Sequence, residues 1–424
     1  MSGMERFDIA IVGGGAAGLA AAIFAASSAP PTVRTIVIEG AATIGAKILI
    51  SGGGRCNVTN VEVAAKDFNG RQPVVRNILA AFDEKAAARW FASLGVPLVA
   101  ESTGKLFPEV NSARAVVDGL LRRCTRIGVT IRNGHRIIRV EREADRYVLH
   151  FASGAVAAGT VILATGGRSL PRTGSDGVGF DLARRLGHSV TETFPALVPL
   201  LLKPGFFHRE LSGLSQIVEL TTRIGDKAID RRTGSLLFTH FGISGPVVLD
   251  ASRHWVLANA AGAFPRLICS FFPASSSQTV ESSLLAAARA RPRQRVAGWL
   301  EASMPARLAQ QLSRTASVEE VTLADLTRAQ RQGLVQVLAG LELPVQGARG
   351  WDFAEVTAGG VPLAEIDYRT MESRRCPGLY LVGEMLDCDG RIGGFNFQWA
   401  WATGFLAGRA AAHRIQSTNS RTPM

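Results

Sequence analysis

"FDIAIVGGGAAGLAAAIFAAS", residues 7–27, opens with an apolar run from Phe7 to Val12, turns through three glycines and continues as an alanine-rich segment. The run predicts a buried strand and the segment predicts a helix, with the turn between them. Gly13, Gly15 and Gly18 stand at the G-x-G-x-x-G positions. The first permits a tight turn, the second lets a pyrophosphate approach the backbone, and the third lets helix pack on strand. Ala16 and Ala17 would then offer free amides at the positive end of the helix dipole. "RTIVIEG", residues 34–40, supplies a second strand that ends at Glu39 and Gly40. Glu39 falls about 20 residues after Gly18, where an acid accepts hydrogen bonds from the ribose of an adenosine and repels a 2′-phosphate.

No charged residue occurs between Ile9 and Val33, which imitates a membrane or signal segment. The glycines, two serines, two prolines and the preceding Asp8 fit the strand, turn and helix instead. The sequence therefore predicts a soluble, cytoplasmic protein with no membrane partner.

Composition agrees with a packed α/β chain. Of 424 residues, 47% are hydrophobic and 45 are glycine, a content that suits close backbone approaches to a nucleotide. The five cysteines are dispersed and include no C-x-x-C pair, against a disulfide framework, a zinc site or a dithiol relay. A net charge of +12 favours an anionic partner without choosing among nucleotide, acidic metabolite and RNA. The densest basic region, "LRRCTRIGVTIRNGHRIIRVEREADRYVLHF", spaces its arginines as on a solvated sheet face, which weighs against a nucleic-acid partner.

Three further stretches belong with the first. "GAKILISGGGRCNVTN", residues 45–60, brings Lys47, Ser51, Gly53, Gly54, Arg55, Cys56, Asn57 and Thr59 into one polar loop suited to an extended dinucleotide with a polar heterocycle. "TVILATGGRSLPRTGSDGVG" runs a strand into Thr165, Gly166 and Gly167, as where a doubly wound sheet returns over a bound dinucleotide. "GLYLVGEMLDCDGRIGGFNFQWAWATG", residues 378–404, reads as a strand ending at Gly383 and Glu384, a segment holding Asp387, and a long last helix after Gly393 and Gly394. A helix N-terminus there would stabilise negative charge on a reduced flavin ring. Cys388 reads as a packing thiol.

These stretches, with "LFPEVNSA", "LFTHFGISGPVVLD", "TAGGVPLAEID" and "TMESRRCPGLYLVGEMLDCDG", resemble the BaiN-like flavoproteins, NAD(P)/FAD-dependent oxidoreductases, in order from Phe7 to about Ala412. The resemblance implies FAD as cofactor and a Rossmann-like FAD-binding domain, a doubly wound parallel sheet assembled from both chain ends. It also implies an inserted β-barrel with a helical cap. The expected division is 1–190 and 351–424 for the FAD-binding domain, 191–272 for the barrel and 273–350 for the helical part. The same resemblance adds Phe395, Asn396 and Gln398 to the FAD-lining residues.

Within the insert, "FTHFGISGP" places His240 before a turn, where an imidazole can exchange a proton beside a substrate carbonyl. The other reading is a histidine that holds a turn by hydrogen bonds. Ser244 lacks the G-x-S-x-G elbow of a hydrolase nucleophile. The expected function is hydride transfer through flavin N5 to or from a small conjugated or apolar substrate. No second glycine fingerprint is present, so NAD(P)H would bind transiently, share the substrate cavity, or give way to another donor. The alternative is an RNA- or protein-associated flavoprotein whose FAD is partly structural.

Overall fold

The computed structural model describes residues 4–419. They fall into two compact units, one formed by the chain up to Thr193 together with the chain from Val356 onward, the other by Phe194–Glu355.

In the first unit the N-terminal strand Glu5–Val12 lies at the centre of a sheet. It pairs in parallel with Thr35–Ile38 on one side and Gly154–Leu163 on the other. Thr130–Arg132 extends the sheet beyond the former, and Leu379–Leu381 beyond the latter, again in parallel. Ile9, Ile11, Ile36, Ile162 and Leu381 are all fully buried, because helices cover both faces of a parallel sheet and leave no polar side. Arg146–Phe151 and Ile137–Glu143 add an antiparallel extension beside Gly154–Leu163. The short Glu372–Ser373 and Ile366–Asp367 close the opposite edge.

Register matters more than strand count. Val12 is opposite both Ile38 and Leu163, and Leu163 is opposite Leu381. Four strands therefore end level, so Gly13, Glu39, Ala164 and Val382 leave the sheet side by side at its carboxyl edge, where open α/β sheets bind ligands.

The first helix, Ala16–Ser28, buries alanines along most of its length. They receive the last helix, Phe395–Asn419, at close quarters. A Cβ on Gly404 would stand 2.7 Å from the Ala17 carbonyl oxygen, and one on Gly408 only 2.4 Å from that of Ala21. Glycine four residues apart on one helix and alanines on its partner let the two backbones touch.

The basic region read as a sheet face divides in two. Ala113–Arg126 is a helix carrying Arg122, Arg123 and Arg126, and only the later arginines lie on strands. Val116, Val117, Leu120 and Cys124 recur at helical spacing and are buried, which decides the matter over the alternation of the charges.

The second unit holds a seven-stranded antiparallel sheet. Ser215–Ile224 and Lys227–Thr239 form its long central hairpin, and its edges, Leu341–Leu343 and Val345–Ala348, are consecutive in the chain with Pro344 between them. Helices Pro246–Ala260, Ser277–Ala290, Ala306–Thr315 and Arg328–Gly340 pack their apolar faces into the same core, around Phe238, Trp255, Leu308 and Leu334. The stretch "LADLTRAQRQGLVQVLAGLEL" is helical only from Arg328 to Gly340. Thr327 and Gln330 form a capping box at its start, and the chain turns to strand after Gly340.

Candidate dinucleotide and redox site

The carboxyl edge of the parallel sheet gathers the residues expected from sequence. Gly13 has φ +107°, and a Cβ on it would stand 2.4 Å from the Ala164 carbonyl oxygen. A Cβ on Gly18 would stand 1.9 Å from the Gly13 carbonyl oxygen. Only glycine fits either place. Around Gly15 the situation reverses, since a Cβ there would meet nothing within 4 Å. Gly15 precedes the first helix with no side-chain cap, so the amides of Ala16, Ala17 and Gly18 face this open space without intrahelical acceptors. Such an arrangement can receive an anion on backbone amides alone.

Glu39 is fixed beside it, accepting from the Gly14 amide at 2.6 Å and the Ala41 amide at 2.8 Å, with Gly40 between. Its carboxylate is thus placed before any ligand arrives. Thr165, Gly166 and Gly167 follow Ala164, whose amide donates to the Val12 carbonyl at 2.8 Å.

Gly383 brings in the end of the chain. A Cβ on it would lie 2.8 Å from the Ala17 Cβ, its amide donates to Thr403 Oγ1 at 3.0 Å, and its carbonyl accepts from Trp399 Nε1 at 3.1 Å. The last helix therefore holds the 383 turn against the start of the first.

Next to Gly383, Glu384 joins a partly buried polar cluster. Lys47 Nζ donates to Glu384 Oε2 at 2.6 Å and to Ser169 Oγ at 2.5 Å, and Ser169 Oγ donates to Glu384 Oε1 at 2.7 Å. The Thr357 amide donates to Glu384 Oε1 at 2.9 Å, and Thr357 Oγ1 accepts from the amides of Arg168 and Ser169. Ser169 and Thr357 carried no signal of their own in the sequence, because a lone hydroxyl in a loop is the commonest of side chains. Their stretches were distinctive and their individual roles were not.

Residues of the 45–60 loop divide. Gly52, Gly53 and Gly54 all have positive φ and stand exposed, with open space at Gly53. The Ser51 hydroxyl donates to the Ile48 carbonyl. Arg55 pairs with Glu101 at 2.6 Å and lies over the Phe107 ring. Cys56 is fully buried, and burial pushes its thiol up to about 12, so it is a neutral group. Asn57 is buried, and its Oδ1 has no hydrogen-bond partner among the described residues.

At the final helix, Gly394 lies against the backbone of Thr59, where a Cβ would be 2.6 Å from the Thr59 carbonyl oxygen. The Gly393 carbonyl accepts from Asn60. Asn396 exchanges two hydrogen bonds with the Gly390 backbone, each 2.8 Å. Gln398 is fully buried, bridging Thr59 Oγ1 and the Phe82 carbonyl at 2.7 Å each. Phe395 is buried edge-on to Phe68. Gln398, the Asn60 bond and the close approach of Gly394 hold the helix start on residues 59–60, while Asn396 and Phe395 tie it to Gly390 and Phe68. Asp387 donates its amide to Val361 and accepts from Thr191 Oγ1 at 3.2 Å.

His240 belongs to the second unit. It is exposed in the turn between Lys227–Thr239 and Gly242–Ser244, and its carbonyl accepts from Arg209.

A dinucleotide fits this set of residues. Open space at Gly15 meets unpaired amides, a fixed carboxylate stands one strand away, and the buried oxygens of Asn57, Thr165 and Ser175 are left without partners among the described residues.

Comparison with known proteins gives the same direction. The chain matches the family described as HI0933-like protein Rossmann domain over residues 7–410. It is 35% identical over 408 residues to a 3-dehydro-bile acid delta(4,6)-reductase of Clostridium scindens, covering 96% of this chain and 99% of the relative. It is 32% identical over 401 residues to a ribosomal RNA dihydrouridine synthase of Escherichia coli, covering 94% and 96%. In fold it is similar to a 3-ketosteroid-delta4-(5alpha)-dehydrogenase of Rhodococcus jostii RHA1, with TM-score 0.51 and 15% identity over 96% of this chain and 97% of that one. No helix among the described residues is long and apolar enough to cross a membrane. The chain belongs to the HI0933-like Rossmann-domain family and is an FAD-dependent flavoprotein oxidoreductase.

Proposed function

We propose that the protein saturates a ring carbon–carbon double bond conjugated to a carbonyl, with a reduced nicotinamide as the electron source. The observation that carries this reading is a shared chemistry in two relatives matched over nearly their whole length. A delta(4,6) double-bond system next to a 3-keto group and the C5–C6 bond of uracil are both alkenes polarised by a carbonyl. Each gains a hydride at its electron-poor carbon and a proton at the neighbouring one. The overall balance is alkene, NAD(P)H and a proton to alkane and NAD(P)+.

When bound, FAD would supply the two-electron chemistry that links the nicotinamide to the substrate. The protein's own residues do the rest. Glu39 and the amides at Ala16–Gly18 hold the adenosine end. Lys47, Ser169 and Glu384 fix the two chain ends against one another so that the site keeps its shape. The amides that open the last helix at Phe395 stabilise negative charge nearby. His240 is the candidate proton donor to the substrate carbon. The absence of a second glycine fingerprint in the sequence supports a nicotinamide that binds briefly and leaves.

Spectroscopy under nitrogen tests the reading. NADPH or NADH should bleach the visible flavin band of the purified protein, and a steroid enone or a uridine-containing oligonucleotide should restore it. A band that neither nicotinamide bleaches, or that neither acceptor restores after dithionite reduction, would sink the proposal. Replacing His240 with Asn should slow reoxidation while leaving the bleaching rate unchanged.

A further inference from the structure

Between Leu285 and Leu300 the second unit carries Arg289, Arg291, Arg293 and Arg295 and no acidic residue. All four are exposed. Arg289 lies in the last turn of helix Ser277–Ala290, and the other three lie in the turn that follows. That turn is not a loose loop. The Val296 amide donates to the Val321 carbonyl, the Leu323 amide to the Gln294 carbonyl at 2.8 Å, and the Ala324 amide to the Pro292 carbonyl. Arg295 pairs with the exposed Glu320 at 2.8 Å, and neighbouring Glu319 is held by Arg314. Arg289, Arg291 and Arg293 have no ion-pair partner among the described residues.

A solvated face requires nothing more than such charges. Here an aromatic surface adjoins them. The Trp299 amide donates to the Arg295 carbonyl, so Trp299 lies in the first turn of the short helix Val296–Leu300 that Arg295 caps. Trp299 is only half-buried and stacks on half-buried Phe272, with ring centroids 6.2 Å apart and planes 16° from parallel. Guanidinium groups on a fixed backbone beside a partly open aromatic plane are the two components of single-strand binding: cations for phosphates and a π-face for a base. A duplex keeps its bases stacked inside and has no use for the second component.

We infer that this surface, Arg289 to Arg295 with Trp299, docks single-stranded RNA. The docking is independent of the reaction proposed above, and only the choice of RNA over DNA rests on that reading, through uracil as a reducible ring.

Fluorescence anisotropy of a labelled oligouridylate of about a dozen nucleotides, titrated with the holoprotein over a range of KCl, tests it. The combined variant Arg289→Ser, Arg291→Ser, Arg293→Ser should bind at least about tenfold more weakly, and its log–log salt slope should be shallower by about 2, from ~0.7 per phosphate contact. Its cofactor content and thermal unfolding should match those of the unaltered protein. Binding should quench tryptophan fluorescence, and Trp299→Phe should remove most of that quench. Failure of the unaltered protein to bind, an unchanged slope in the triple variant, or equal affinity for a polyglutamate would overturn the inference. Equal affinity for an oligothymidylate would overturn the commitment to RNA. Enone reduction by the unaltered protein, measured separately, reports on the reaction alone, so the two proposals fail independently.

Discussion

Lys47 and Glu384, 337 positions apart in the chain, meet at 2.6 Å with Ser169 completing the triangle. Their side chains keep only 26% and 19% of their exposure. Removing one charge from so sheltered a pair leaves the other poorly compensated. Lys47→Met should lower stability by about 1–3 kcal/mol and release FAD on gel filtration. Glu384→Gln, which keeps hydrogen-bonding capacity, should retain more cofactor. Equal retention in Lys47→Met and the unaltered protein would remove the pair from the site.

Glu39 is held by two backbone amides before ligand binds. Hydrogen bonds from a ribose to a carboxylate contribute about 1.5–3 kcal/mol. Glu39→Ala should therefore weaken FAD binding roughly ten- to hundredfold, read by fluorescence on titrating the apoprotein. Affinity within twofold of the original would place the adenosine elsewhere.

Gly408 and Gly333 offer a paired test of packing. A Cβ at Gly408 would strike the Ala21 carbonyl oxygen, whereas one at Gly333, inside helix Arg328–Gly340, meets nothing within 4 Å. Gly408→Val should destabilise by about 1–3 kcal/mol or more. Gly333→Ala should stabilise by roughly 0.4–1 kcal/mol. Urea midpoints check both, and a stable Gly408→Val protein would mean that the two helices part easily.

His188 and Glu365 set an acid limit. His188 is buried with Nδ1 2.7 Å from Glu365 Oε2 and Nε2 2.8 Å from Ser373 Oγ. Burial lowers the pKa of His188 from 6.5, outweighing the adjacent carboxylate, so the folded protein holds it neutral. Hydrogen bonding from Arg375 is the largest cause that holds Glu365 down to about 2, against an ordinary 4.5. For His188 the unfolded chain binds more protons below pH 6.5, so stability should begin to fall there as pH drops. For Glu365 the stabilisation present above 4.5 should be lost progressively down to about 2. Melting temperature against pH should show both limbs, and Glu365→Gln should flatten the lower one. A curve level from neutrality down to pH 4 would contradict this assignment.

The sheet and its ligand edge were legible because each is encoded locally. Ile9 to Val12 is apolar throughout, Gly13 and Gly18 are places no other residue fits, and Glu39 ends the next strand. Gly383 and Glu384 were legible for the same reason, as the end of an apolar strand. Helix Ala113–Arg126 was obscured by its arginines, whose spacing imitates alternation while the buried face is set by Val116, Val117, Leu120 and Cys124. Hydrogen-bond partners distant in the chain were the least legible. Nothing in "TAGGVPLAEID" marks Thr357 as the residue that orients Ser169, and nothing near Gln398 reveals that its amide is taken by Thr59 and Phe82.

The Gly408–Ala21 contact joins elements that lie on either side of the whole second unit in the chain. During synthesis the stretch Phe194–Glu355 emerges whole and has its own core, so it can fold while the ribosome is still translating. The first helix precedes that stretch in the chain and the helix that covers its alanine face, Phe395–Asn419, follows it, so this packing forms only after the intervening core has been made.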